Sequence, residues 1–335
     1  EATSSPRIDA SARAQAGEPI AAARRTAIDS RDFHRPLDKE RIWSWMEIAS
    51  RCTMAEFELF LSPLEPHERQ LLERIEALAA PIVNRLHFED LRGVLKNGGL
   101  ASLYRQQQAD RHQLAHTTPR LENLLYGGFD CVFASVGPAD GSPRYGDVVI
   151  RLHDSVRERG WATPFSGMHF LWAVRHQDAR QMQQLLADRK KLPTPPAPLS
   201  LGFDDRLHFS HYVVTEKHWN RALAYQAMLV LRNLDESPTS DQVRLRYRKM
   251  LAAEDGDTFW RLFIPSRERD LTDSQTAERV PFGYLEGKFA DDVSIDMFTA
   301  IEVPSDRLDE VRQWPEARPY LQLIRGRSDR TEAAR

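Results

Sequence analysis

Residues 280–289 read Val-Pro-Phe-Gly-Tyr-Leu-Glu-Gly-Lys-Phe, and their alternation predicts a β-strand. Glu286 and Lys288 fall on one face of this strand together with aromatic residues, while Gly283 and Gly287 thin the opposite face. A carboxylate among aromatic neighbours on a buried strand carries a desolvation cost, so Glu286 is a candidate for a functional role. An edge strand that turns Glu286 toward solvent is the alternative that this pattern leaves open.

Other short runs predict the strands that surround this one. Residues 82–88 have the short period of a strand, Cys131–Val136 form an apolar run, and residues 300–303 read Ala-Ile-Glu-Val. Val148–Leu152 form a further run after a turn that is rich in Gly, Pro, Asp and Ser. We therefore expect Cys131–Val136 and Val148–Leu152 to pair as a hairpin.

Apolar residues at helical spacing predict the remaining elements. Helices are expected at four places: residues 65–80, 168–190, 215–234 and 240–253. A shorter helix should end at Gly98, where glycine supplies the left-handed cap conformation. The prolines of residues 193–198 exclude regular structure there, because proline has no backbone donor. The pattern predicts an α+β fold with a helical N-terminal lobe over residues 32–80.

The composition narrows the class of protein. The chain has 335 residues, with 46 Lys and Arg against 49 Asp and Glu and a formal net charge of -3. It lacks the basic excess of a general nucleic-acid-binding protein, and no apolar run is long enough to cross a membrane. Two cysteines, Cys52 and Cys131, are too few for a disulfide framework. We expect a soluble globular protein with no nucleic-acid partner and no membrane span.

The chain divides into four predicted segments. Residues 1–31 are poor in large apolar side chains and are expected to form a disordered arm. The helical lobe follows, then a domain over residues 81–312 that contains all the predicted strands, and a C-terminal tail over residues 313–335. The sequence begins at Glu1 and not at Met, so we expect its true start to be missing, together with any targeting signal that it carried.

Several common catalytic motifs do not occur in the sequence. They are the G-x-S-x-G elbow, the Walker phosphate loop, the H-E-x-x-H pair and the G-x-G-x-x-G turn. Their absence disfavours hydrolases, nucleoside-triphosphate enzymes and standard dehydrogenases. The densest group of histidines is His208, His211 and His218, whose spacing matches no common zinc site. Ordinary structural roles are favoured for these histidines, and a metal-dependent enzyme is a minor alternative.

Three successive segments resemble motifs of bacterial type III secretion effectors that are mono-ADP-ribosyltransferases. Residues 86–100 place a polar residue on a strand before a short helix and Gly-Leu, and they resemble the family's first NAD-contacting motif. Residues 130–148 resemble its D-x-V-F-x-x-V and Y/F-G strand pair. Residues 284–304 resemble its catalytic-glutamate strand, helix and following strand. The likeness spans residues 36–304 and is to the group of OspC/CopC, SopF and CteC effectors.

The resemblance implies an ADP-ribosyltransferase-like fold with a split, mixed β-sheet core, and residues 81–312 as the catalytic domain. NAD would be consumed as substrate, and an anion would stabilise the ribosyl cation that develops as nicotinamide leaves. Glu286 matches the family's catalytic glutamate. Phe133 or Tyr145 would supply an aromatic face for the nicotinamide, with plain core packing as the alternative for Phe133.

The same resemblance implies further cofactor-binding residues. His87 is the first candidate for a donor to the ribose or diphosphate and Arg85 is the second, while a strand-end cap is the alternative for His87. Thr163 and Ser166 would be the family's polar pair, and His211 lies where the family has a histidine-bearing strand. Ordinary structural roles are favoured over site roles for Thr163, Ser166 and His211.

The resemblance also implies a biological setting. The expected protein is a monomeric effector, secreted by a bacterium into the host cell cytosol, that transfers ADP-ribose to a side chain of a host protein. A threonine of ubiquitin is the acceptor that we favour, and arginine ADP-riboxanation or glutamine ADP-ribosylation of another host protein are the alternatives. A non-enzymatic helical adaptor, in which the strands are only a scaffold, is the competing hypothesis.

Overall fold

The computed structural model describes residues 50–51, 54, 57–58, 61–102, 105–106, 131–142, 145–164, 214–232, 238–263 and 285–327. The arm predicted for residues 1–31, the helix predicted for 168–190 and the proline-rich residues 193–198 lie outside this part of the chain. None of the described helices is long and apolar enough to span a membrane.

The described strands form one large sheet and one small ribbon. They are β1 (Ile82–Leu86), β2 (Gly99–Leu100), β3 (Cys131–Val136), β4 (Val148–Leu152), β5 (Gly160–Pro164), β6 (Val214–Thr215), β7 (Leu285–Ala290), β8 (Val293–Ser294), β9 (Phe298–Pro304) and β10 (Ile324–Arg327). Eight of them make a sheet in the order β10-β9-β4-β1-β3-β7-β5-β6, and β2 pairs with β8. Only β9 and β10 run parallel in the large sheet, so it is mixed, and the predicted α+β class is confirmed.

The ladder of hydrogen bonds continues through all eight strands. The described sheet is therefore one continuous sheet, where a split sheet was expected. Its edge strand β10 comes from residues 313–335, the segment that the sequence assigned to a tail, and it pairs with β9 through Ile324 and Ile301. The opposite edge is the short strand β6.

The predicted hairpin between β3 and β4 is wrong. β1 lies between these two strands and is antiparallel to both, with Val83 opposite Ser135 on one side and Arg151 on the other. The connection over residues 137–147 is long enough to cross the width of β1, which requires about 10 Å, or two strand spacings. Both runs are strands as predicted, but an apolar run carries no information about its pairing partner.

β7 is an interior strand of the sheet. It pairs with β3 on one side and with β5 on the other, and Glu286 lies directly opposite both Ser135 and Thr163. The edge-strand alternative for Glu286 is therefore wrong. The strand begins at Leu285, and residues 280–284 of the predicted strand lie outside the described residues.

The two faces of the sheet differ in chemistry. Residues opposite each other in an antiparallel ladder share a face, as do alternate residues of one strand. One face carries apolar side chains, among them Ile82, Val132, Val136, Ile150, Leu285, Phe289, Ile301 and Val303. The other, here called the polar face, carries Arg85, Ser135, Arg151, Thr163, Glu286, Lys288 and Glu302.

The described helices are α1 (Pro66–Glu76), α2 (Phe88–Asn97), α3 (Trp219–Arg232), α4 (Pro238–Leu251), α5 (Gly256–Leu262) and α6 (Leu308–Gln313). Helices were predicted at the positions of α1, α2, α3 and α4, and these predictions are confirmed. α3 packs on α1 and on the apolar face, where the Trp219 ring meets the edge of Phe289 at a centroid distance of 6.1 Å. α2 ends at Gly98, whose positive φ of 72° confirms the predicted glycine cap.

Candidate functional site

Glu286 is a buried carboxylate in the middle of the sheet. Its exposed fraction is 7%, and its Oε1 accepts a hydrogen bond of 2.8 Å from Nζ of Lys288. The two residues are separated by Gly287, so the period of the strand places both side chains on the polar face. The exposed fraction of Lys288 is 0%, which makes this a buried ion pair. Such a pair is held only where the surrounding groups compensate the loss of hydration.

Two further side chains hold the Lys288 ammonium in place. Nζ donates to Oγ1 of Thr163 on β5, at 2.9 Å, and lies 5.3 Å from the centre of the Phe133 ring on β3. An ammonium over an aromatic face is attracted by the negative face of the ring. Glu286, Lys288, Thr163 and Phe133, with Ser135 directly opposite Glu286, are called the Glu286 cluster below.

The cluster depends on the close packing of the strand at Gly287. A Cβ atom at this position would lie 3.2 Å from the Phe289 ring and 3.3 Å from Cγ2 of Val136, on the apolar face. Glycine therefore lets the apolar side of β7 pack tightly. Glu286 and Lys288, the residues before and after it, point to the polar face. The local sequence Glu-Gly-Lys explains both features.

The structure brings three of the predicted site residues together. Glu286, Phe133 and Thr163 lie on three adjacent strands of one face, with Thr163 fully buried. Arg85 is on the same face but two strands away from Glu286, on β1, and its Nη1 donates to the Asp140 carbonyl at 3.2 Å.

Other predicted residues lie away from this cluster. His87 is exposed and follows β1, four residues beyond the position level with Glu286, which is about 13 Å along the strand. It lies directly after the end of β1, at the N-cap position of α2, and its side chain makes no cap hydrogen bond there. Tyr145 is half-buried in the turn before β4, at the same end of the sheet as His87. Ser166 and His211 lie outside the described residues.

The sequence reasoning missed Lys288 and Ser135 as members of the site. Lys288 had a signal, because the alternation already placed it on the face of Glu286, and a second charged residue there predicts an ion pair. Ser135 had none, because its position opposite Glu286 follows from the pairing of β3 with β7.

Two buried polar atoms lie in the row of residues that contains Lys288. Trp161 on β5 is opposite Lys288, and Thr215 on β6 is opposite Trp161. Within the described ranges, neither Nε1 of Trp161 nor Oγ1 of Thr215 has a hydrogen-bond partner. Buried donors and acceptors normally have partners, so a bound polar molecule or water would satisfy this indole N–H and hydroxyl.

A second acidic centre, the Glu302 cluster, lies on the same face near the opposite edge. The Glu302 carboxylate accepts from Nε and Nη2 of Arg151, at 2.8 and 3.1 Å, and from the guanidinium of Arg325, while Arg151 also pairs with Asp140. Burial raises the pKa of Glu302, but the hydrogen bonds from Arg151 and Arg325 outweigh it and leave the pKa below its usual value. This centre is built as a network of ion pairs.

The described residues contain no group of three or more His, Cys, Asp and Glu side chains that could hold a metal ion. His218 is within the described ranges, and its Nδ1 lies 2.7 Å from Oγ of the buried Ser50, whose Oγ also accepts from the Thr215 backbone N–H. His208 and His211 lie outside those ranges, so the histidine hypothesis stays a prediction.

No model of a known protein family matches the chain, and no characterised protein matches it in sequence. A buried carboxylate with an ammonium, a hydroxyl and an aromatic ring on neighbouring strands can stabilise a developing positive charge and orient hydroxyl groups of a bound sugar.

Proposed function

We propose that this protein transfers ADP-ribose from NAD to a side chain of another protein, with Glu286 as the catalytic carboxylate. The observation that carries the proposal is the buried position of Glu286 on an interior strand, between the hydroxyl-bearing residues Ser135 and Thr163. The order of the three sequence motifs supports it independently. The mixed α+β sheet is compatible with an ADP-ribosyltransferase-like fold, and the assignment to that fold is part of this proposal.

The proposed reaction exchanges one bond at the ribose. The bond between C1′ of the ribose and the ring nitrogen of nicotinamide breaks, and its electron pair leaves with the nicotinamide. Positive charge develops on the ribose, and the Glu286 carboxylate stabilises it and orients the ribose hydroxyls. The acceptor side chain forms the new bond to C1′ and releases its proton to solvent.

The positions of the described residues limit the roles of the cofactor-binding candidates. Phe133 belongs to the Glu286 cluster and Tyr145 lies at the other end of the sheet, so we assign the nicotinamide to Phe133. Arg85 lies nearer to Glu286 than His87 does, and its guanidinium suits a phosphate. We therefore propose that Arg85, ahead of His87, binds the diphosphate of the substrate NAD.

The acceptor and the setting are proposed from the resemblance alone. We favour a host protein acceptor, with a ubiquitin threonine first and an arginine or glutamine of another host protein as alternatives. The proposed localisation is the host cell cytosol after secretion by a bacterium, and the proposed state is a monomer. The adaptor hypothesis predicts that the chain has no reaction with NAD.

The test uses labelled NAD and a host-cell lysate. We expect the wild-type chain to label at least one protein, and Glu286→Gln to lower the labelling rate by about 100-fold or more, since it removes the negative charge from the site. Glu302→Gln is the matched control, because Glu302 is a second buried glutamate of the same face and should leave the labelling intact. Labelling that survives Glu286→Gln would remove Glu286 from its role, and no labelling by the wild type would count against the class.

A further inference from the structure

Lys288 is an unusual residue for the middle of a sheet. It is the only lysine among the buried residues that the structure describes, and its side chain has an exposed fraction of 0%. Lysine is almost never fully buried unless it is paired, because removing an ammonium from water is costly. The proposed transfer reaction in the previous section assigns no role to this charge.

The contacts of Lys288 fix its ammonium at a defined point on the polar face. Thr163 holds Nζ from β5 at 2.9 Å, the Phe133 ring lies beneath it on β3, and Oε1 of Glu286 accepts from it at 2.8 Å. The three contacts come from three adjacent strands, so the position of Nζ is set by the sheet itself. Glu286 is therefore held by a group that is rigidly placed.

Lysine differs from arginine in how it holds a carboxylate. Arginine forms a planar fork that can engage both oxygens, as Arg151 does with Glu302 through 2.8 and 3.1 Å bonds. The ammonium of Lys288 is a point charge that engages Oε1. It balances the charge of Glu286 and sets its direction without the two-point clamp that an arginine would impose.

We propose that Lys288 is a positioning residue for Glu286: it keeps the buried carboxylate charged and correctly oriented for the ribose of NAD. The inference rests on the proposed function. Without Lys288 the buried carboxylate would lose the countercharge that lies 2.8 Å from its Oε1, and breaking a buried ion pair in this way is costly. Thr163 acts through Lys288, because it anchors the ammonium from the opposite strand.

The experiment measures kcat and KM for NAD consumption, with the melting temperature, in full-chain variants. Thr163→Val removes the hydroxyl that anchors Nζ while keeping the shape of the side chain. We expect it to lower kcat about tenfold with KM nearly unchanged, because the orientation of Glu286 affects the stability of the transition state and not the binding of NAD. Thr163→Ser keeps the hydroxyl and should recover most of that loss. We expect Lys288→Met to lower kcat about 100-fold or more.

Two variants separate positioning from folding. Glu286→Gln/Lys288→Met removes both charges, so it should melt above Lys288→Met and remain inactive. Arg232→Met breaks another ion pair, between Arg232 at the end of α3 and the buried Glu68 of α1, and should lower the melting temperature with kcat unchanged. If Lys288→Met does not fold, the comparison of Thr163→Val with Thr163→Ser decides the question.

The proposal is overturned if Thr163→Val and Lys288→Met lower the melting temperature but leave kcat at the wild-type value, which would make the pair purely structural. That result would leave the proposed function standing, because the wild-type chain would still consume NAD. A wild-type chain that consumes no NAD with any lysate would overturn the proposed function and this inference together.

Discussion

Two buried glutamates lie on the polar face of one sheet and are held in different ways. Glu302 on β9 is clamped by two guanidinium groups, and both of its oxygens are engaged by Arg151. Glu286 on β7 is paired with the Lys288 ammonium through Oε1, beside a threonine and an aromatic ring. The exposed fractions of the two residues are similar, at 6% and 7%, so burial does not distinguish them.

The two carboxylates differ in the geometry of the groups that bind them. A forked arginine pair fixes both oxygens of Glu302 and lowers its pKa, which suits a structural cross-link between β4, β9 and β10. The Lys288 ammonium engages Glu286 as a point charge at Oε1, without the planar fork of a guanidinium. Two glutamates of one sheet, with nearly equal burial, are thus held by partners of different chemistry.

The largest expected effect on stability comes from breaking the ion pair between Lys288 and Glu286. Lys288→Met leaves a buried carboxylate without the ion pair, and breaking a buried pair in this way costs about 3–5 kcal/mol of unfolding free energy. Urea unfolding at pH 7 measures it. A loss below about 1 kcal/mol would mean that the pair is not buried in solution and would remove the contrast with Glu302.

The second prediction, a shift of the melting temperature, tests whether the Glu286 cluster binds NAD. A ligand that binds only the folded state stabilises it by about 2.7 kcal/mol at 100 times its Kd, and the melting temperature should rise accordingly. Thermal melts with and without NAD measure the shift, and Glu302→Gln should retain it. No shift at millimolar NAD would favour the adaptor hypothesis over a transferase.

The Glu302 cluster should make the fold sensitive to acid. The folded-state pKa of Glu302 lies below its ordinary value of about 4.5, so its stabilising contribution is fully present above that pH and is lost as the pH falls through the folded-state pKa. We expect a loss on the order of 1.5 kcal/mol, the lower end for hydrogen bonds to charged groups. Unfolding free energies between pH 6 and pH 3 should fall less steeply in Glu302→Gln, and equal slopes would contradict the prediction.

The smallest effect comes from the exposed member of the same cluster. Arg325 has a side chain that is 60% exposed, and Arg151 still pairs with Glu302 when it is removed. Arg325→Met should therefore cost at most about 1 kcal/mol, and less at high salt. A loss as large as that of Lys288→Met would show that the two clusters are held in the same way.

Prediction from sequence succeeded where the signal was local. The helix α3 and the strands β3 and β4 have clear periods, and Gly98 ends its helix as expected. It failed for β5 and β10, which are short and contain Gly or Pro, or charged residues, in place of an apolar pattern. These strands form because neighbouring strands offer them hydrogen bonds and buried surface.

The candidate site was likewise predictable only where it depends on residues that are close in the chain. The alternation in β7 placed Glu286 and Lys288 on one face, because the period of a strand is a property of its own backbone. Thr163 was named without its strand, and its place opposite Glu286 follows only from the pairing of β5 with β7. The resemblance assigned His87 and Glu286 to one site, yet their positions along the strand direction differ by about 13 Å.

The sequence by itself therefore determined the elements, the α+β class and the shared face of Glu286 and Lys288, since each of these depends on residues that are neighbours in the chain. Only the tertiary structure decided that β1 lies between β3 and β4, that β7 is an interior strand, and that Thr163 and Phe133 meet the Lys288 ammonium. The physical reason is that strand pairing is set by long-range hydrogen bonds and by the burial of a common face, which no single segment encodes.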